Sequence, residues 1–213
     1  MIKNFKQIRR VMSIFVLLWL IFPVLIDIKT TQAAVHDVAV STTVQSSLSM
    51  DITAGSTVEF GPLTPGLPIV APNTGTVVSV ETNANNGYTV GIHDNVAGTD
   101  SALLNTDAVT YIPDIASGTV AVPALWGVNT GLGITLFAAD TNKELKWGTG
   151  AVYDSINNKY AAIPQNVTTA HTVTGEVVGV NTSSWGFKID AAPSQKTGSY
   201  TGNITFTATA VLI

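Results

Sequence analysis

The chain has 213 residues, 46% of them hydrophobic and 11% charged, with 14 acidic against 10 basic side chains, a net charge of −4 and no cysteine. Five of the 10 basic residues but only one of the 14 acidic ones lie in residues 1–34; without that segment 5 stand against 13, a net charge of −8, and no arginine remains. Phosphate recognition leans on arginine forks and basic patches, so nucleic acid and anionic membrane surfaces are excluded as partners. The lack of cysteine likewise excludes thiolate catalysis, Cys-ligated zinc and disulfide chemistry.

In chain order the first feature is a leader. Lys3, Lys6, Arg9 and Arg10 precede an apolar run from Val11 to Ile26, and a short polar stretch follows, ending in TTQAA. A basic head, an apolar middle and small residues before a cut are the layout of a secretory signal peptide, here expected as a helix over residues 1–34. The rival reading, a retained anchor, is opposed by Pro23 and by the early end of the run at Asp27, because a span takes about 20 apolar residues. No membrane span is expected after removal, and the protein is expected outside the cell. Small secreted domains often need disulfides, but about 180 residues bury enough apolar surface to do without. A cysteine-free, weakly charged chain rich in Thr, Gly and Asn points to a bacterial surface.

Residues 35–213 are expected to form one all-β domain. Residues 35–47, VHDVAVSTTVQSS, alternate partially. Beyond them, period two recurs: Leu48, Met50 and Ile52; Val58 and Phe60; Val78 and Val80; Tyr88, Val90 and Ile92; Trp185, Phe187 and Ile189. Short β-branched or aromatic runs bounded by Gly, Pro, Asn and Asp read as half-buried antiparallel strands. Residues 60–75 hold four prolines and are expected as an ordered loop or edge crossing. TNANNG, residues 82–87, ends in the Asn-Gly of a tight turn. PSQKTG, residues 193–198, is expected to join the Trp185 strand to the last one as a hairpin. That last strand, Tyr200 to Leu212, sets Tyr200, Ile204, Phe206, Ala208, Ala210 and Leu212 on one face and threonines on the other. It is expected to close the core. Residues 98–165, rich in Gly and Pro, are the least regular part and are expected either as long irregular loops with edge strands or as a small subdomain, with at most one helical turn in LFAADTNKELKW. Many short strands at regular spacing predict an antiparallel β-sandwich, Ig-like or jelly-roll-like.

Chemistry-bearing residues are few. Asp114, Asp140, Glu144, Asp154, Glu176 and Asp190 sit in no catalytic pattern and are expected as solvated surface acids. His36, His93 and His171 lack metal-ligand spacing and are expected as isolated surface histidines. No serine lies in a nucleophile-elbow pattern. Asp94, Asn95 and Asp100, in HDNVAGTD, are candidate oxygen ligands for calcium, although the spacing is not that of an EF-hand and the composition also suits an ordinary turn. Trp185 alternates with Phe187 and Ile189 and is expected in the core. Trp126 and Trp147 lie in Gly-rich stretches and are the candidate glycan contacts, since an indole face suits a sugar ring. Each of the three tryptophans precedes a glycine, but the differing spacings and flanks do not make a repeat.

SLSMDITAGSTVEFG, TNANNGYTVGIHD and TGSYTGNITFTATA together resemble the WxL-domain surface proteins of Gram-positive bacteria and similar secreted β-rich proteins. Where that family carries its two Trp-x-Leu elements, this chain has Tyr88-Thr89-Val90 and Phe206-Thr207-Ala208, which keep the aromatic–polar–apolar character without either tryptophan or leucine. The resemblance implies a secreted, non-catalytic β-sandwich held at the cell wall without a covalent sorting signal. An LPxTG-type motif is indeed missing. The expected partners are cell-wall polysaccharide or peptidoglycan, or neighbouring surface proteins. Two alternatives stand beside this: a surface-fibre subunit that donates residues 35–47 as an arm, and a carbohydrate-active enzyme, for which no carboxylate pair is marked.

Overall fold

The computed structural model describes residues 39, 41–71, 75–94 and 101–212. Residues 44–213 make one compact unit and residues 1–43 another. The leader expected over residues 1–34, and its helix, lie outside the described residues.

The regular structure is β: β1 (Leu48–Ala54), β2 (Ile69–Val70), β3 (Thr76–Thr82), β4 (Tyr88–Asp94), β5 (Ser101–Asn105), β6 (Tyr111–Pro113), β7 (Ala124–Leu125), β8 (Gly131–Ala139), β9 (Lys159–Tyr160), β10 (Thr168–Val173), β11 (Val180–Asp190), β12 (Tyr200–Thr201) and β13 (Ile204–Ala210). Among the described residues a single 3-10 turn, Leu145–Trp147, interrupts them, in the stretch expected to hold at most one helical turn. Strands β1, β3, β11, β2 and β8 form a five-stranded sheet; β10, β4 and β13 form a second, β12, β5 and β6 a third, and β7 with β9 a two-stranded ribbon. All of these strand pairs are antiparallel.

The core follows from the period-two pattern. On β3, Val78 and Val80 are buried while Glu81 is exposed, and on β4 the residues Tyr88, Val90 and Ile92 are fully buried. Trp185, Phe187 and Ile189 of β11 complete the same apolar cluster. Trp185, in the five-stranded sheet, meets Phe206 of the second sheet with ring centroids 5.5 Å apart. Inner-face residues of the two sheets thus share one cluster. Strand β8 is the element that the pattern hid. Its GLGITLFAA is buried at its first seven positions, without alternation, as a strand covered on both faces reads. It lies in the region expected to be irregular.

Two expected connections are corrected. The last strand does not form a hairpin with the Trp185 strand: β13 pairs with β4 from Ile204↔Asp94 to Ala210↔Tyr88. Strand β11 has no edge left for it, being paired along residues 183–190 with β8 and along its other edge with β3 and β2. The expected continuous strand also breaks at Gly202 and Asn203, so that Tyr200 and Thr201 pair instead with β5. Phe206 is buried and Ile204, Ala208 and Ala210 are half-buried, as the alternation requires, but Leu212 is 61% exposed. The tight turn expected after Thr82 is present and joins strands of different sheets. Gly87 there has φ +81°, and a Cβ on it would stand 2.1 Å from the Val173 carbonyl oxygen, so the Asn-Gly turn needs its glycine on both counts.

The proline-rich loop behaves as an edge crossing. Only Ile69 and Val70 pair, against Ile189 and Lys188 at the end of β11. Strand β1 closes one side of the five-stranded sheet and has β3 as its sole strand partner among the described residues. That edge position leaves Leu48 and Met50 39% and 36% exposed despite their alternation.

Candidate functional site

The tryptophans offered as glycan contacts are buried, in separate clusters. Trp147 ends the 3-10 turn with no exposed surface, donates its Nε1–H to the Ala170 carbonyl at 3.1 Å, and meets Trp185 edge-on at 5.8 Å. Trp126 packs edge-on against Tyr160 at 5.3 Å, and the Lys188 ammonium stands 5.1 Å from the Trp126 ring. That is a cation–π contact within the chain itself. Neither indole presents a face to solvent on which a sugar could stack. Of the calcium candidates, Asp94 ends β4, is 2% exposed and donates its backbone N–H to the Pro164 carbonyl at 3.0 Å. Asn95 and Asp100 lie outside the described residues.

The acids expected on the surface are largely structural. Asp114 and Asp190 are buried. Asp114 Oδ1 accepts the Ile163 N–H at 3.1 Å and Asp190 Oδ1 accepts the Gly66 N–H at 2.9 Å. Asp140 Oδ2 accepts both the N–H and the hydroxyl of Thr182, each at 2.8 Å. Asp107 accepts from the N–H groups of Val109 and Thr110, the Thr110 hydroxyl and the Lys196 ammonium. These donors, Lys196 first, hold the Asp107 carboxyl well below the usual carboxylate range. Asp154 and Glu176 are exposed, as expected.

His171, expected as an isolated surface histidine, is also corrected. It is fully buried in β10, and its Nδ1 lies 2.8 Å from Glu144 Oε2, while Glu144 Oε1 accepts the Thr172 N–H at 2.9 Å. Burial pushes the Glu144 carboxyl up, but His171 and the Thr172 N–H outweigh it and hold it below its ordinary value. His93 is half-buried, and His36 lies outside the described residues. Residues 140–147 thus form a strap: Asp140 ties it to β11, and Glu144 and Trp147 tie it to β10.

Beside the strap is a cavity of about 420 Å³. Its walls are residues 137–139 at the end of β8, Leu145 of the strap and residues 148–151, and Lys143 lines it. The Lys143 Nζ donates to the Gly150 carbonyl, and burial lowers its pKa from the usual lysine value. Sequence reading missed both this lysine and the Glu144–His171 pair. The local signal was a polar run, Asp140 to Lys146, with four charged residues, Asp140, Lys143, Glu144 and Lys146, between apolar and Gly-rich stretches. Among the described residues no three His, Asp or Glu side chains gather as a metal-binding group.

No protein-family model matches the chain, and a search of curated proteins finds no match.

Proposed function

We propose that the chain is a secreted, non-catalytic protein of a bacterial cell surface, a β-sandwich related in plan to the WxL-domain proteins, which associates non-covalently with cell-wall polymers or surface glycans. One observation supports the non-catalytic reading above others. Five carboxylates, Asp107, Asp114, Asp140, Glu144 and Asp190, spend oxygens on backbone N–H groups of neighbouring loops and strands. A glycosidase needs two carboxyl groups free to face a scissile bond from opposite sides, about 5–10 Å apart. Acids already engaged in pinning loops are poorly placed for that. With both candidate indoles buried, the contact with the wall falls to the exposed threonine-bearing faces of the sheets, such as those with Thr169, Thr205 and Thr209. The test is co-sedimentation of the protein, freed of residues 1–34, with purified peptidoglycan. The protein is expected in the pellet; retention in the supernatant sinks wall attachment.

A second reading, a fibre subunit, is favoured by one feature. Strand β1 offers an outer edge and the part-exposed Leu48 and Met50 directly after the alternating residues 35–47, the kind of sheet border to which an extended segment of a neighbour can add. Deleting residues 35–47 is then expected to abolish polymers and leave a folded monomer; persistent polymers exclude that arm.

A further inference from the structure

The Lys143 cavity has the chemistry of a ligand site. Residues 35–213 contain only five cations, Lys143, Lys146, Lys159, Lys188 and Lys196. Lys196 is paired with Asp107, and Lys188 is laid over Trp126 and Tyr160. Lys143 has no such compensation. Its neighbour Glu144 faces away to His171 and Thr172, and the Gly150 carbonyl is its one hydrogen-bond acceptor among the described residues. An ammonium carries three donors, so two remain beside a cavity otherwise lined by Phe137, Ala138, Ala139, Leu145 and residues 148–151, where Thr149 and Ala151 are exposed. Half-buried charge is costly unless matched, and a neutral carbonyl is all that the described residues supply here. Burial lowers the pKa of this lysine.

We propose that this cavity binds a carboxylate carried on a short apolar body, with Lys143 as its counter-ion and Ala138, Ala139 and Leu145 as the wall for the apolar part. A volume of about 420 Å³ lies within the range of small-molecule sites, roughly 300–1,000 Å³. A single lysine suits a monoanion. Phosphate recognition favours arginine forks, and this region has none. The same chemistry occurs in a free short-chain acid and in the alanyl C-terminus of a peptide. The site does not depend on wall attachment: a protein that stays off peptidoglycan can still bind either acid.

The experiment is titration of ¹⁵N-labelled protein with hexanoate, with acetyl-alanyl-alanine and with inorganic phosphate, following amide resonances. Saturable shifts confined to residues 137–151 are expected for at least one carboxylate, and which one responds identifies the source. Lys143→Met is expected to weaken binding at least tenfold, whereas Lys159→Met, outside the cavity, leaves it unchanged. Ala151→Asp, at an exposed lining position, sets a competing charge at the mouth without touching the core, and is expected to weaken binding as much. Three results overturn the proposal: no saturable shift with either carboxylate, shifts scattered over the molecule, or binding retained within twofold in both the Lys143→Met and Ala151→Asp proteins. Tighter binding of phosphate than of both carboxylates overturns it as well.

Discussion

Glu144 and Trp147 are three residues apart in sequence and hold one strap against one strand by two different means. The Glu144 carboxylate accepts from Thr172 and meets His171, and hydrogen bonds to a charged group contribute about 1.5–3 kcal/mol. Glu144→Gln keeps the shape and removes the charge, so a loss of about 1–2 kcal/mol near pH 7 is expected in urea unfolding. The sign with pH follows from the depressed carboxyl: its stabilisation is complete above the unfolded-state value of about 4.3 and is lost as pH falls through the lower folded value. The gap between the natural and Glu144→Gln proteins is therefore expected to narrow in acid, as pH falls through the lower folded value. Unfolding curves at stepped pH measure it; a gap that widens in acid contradicts the assignment. Trp147 works by packing. Trp147→Ala removes a fully buried indole and its edge contact with Trp185, and a loss of about 3–5 kcal/mol is expected. Trp147→Phe, which keeps a ring but orphans the Ala170 carbonyl, is expected to cost about 1–3 kcal/mol; equal losses for the two would mean that the ring contributes nothing.

At the scale of elements, the turn from β3 to β4 decides which strands share a sheet. It passes the chain from the five-stranded to the second sheet, and Gly87 lies against the Val173 carbonyl at the end of β10. Gly87→Ala combines a positive φ with a backbone clash, so a loss above about 1 kcal/mol is expected, readable as a fall in the urea midpoint at unchanged slope. Asn86→Ala, one position earlier and exposed, is expected to change the midpoint little. These elements also show where sequence patterns carry. Strands β3, β4 and β11 alternate because one face of each meets the core and the other does not, so their faces were legible. Strand β8 is covered on both faces, and such a strand has no period to read. The partner of β13 was illegible for a different reason: alternation says which face is inward but nothing about which edge is free, and β11 had none.

For the whole molecule, the apolar cluster that joins the two main sheets draws, among the described residues, on residues after Thr43. The polypeptide of residues 44–213 alone is therefore expected to fold, with a cooperative unfolding transition and tryptophan emission blue-shifted by the buried Trp126, Trp147 and Trp185. Red-shifted emission at low denaturant would show that residues 1–43 are needed. By itself the sequence determined the β class, the inward faces of its alternating strands and the Pro-rich edge crossing, because period and turn chemistry are local properties. Only the tertiary structure decided which strands are neighbours, that Asp114, Asp190 and His171 are buried, that two tryptophans are core, and that Lys143 faces an apolar cavity without a counter-charge. Those depend on what residues far apart in the chain bring to one place, and a side chain's charge, exposure and partner are properties of that place.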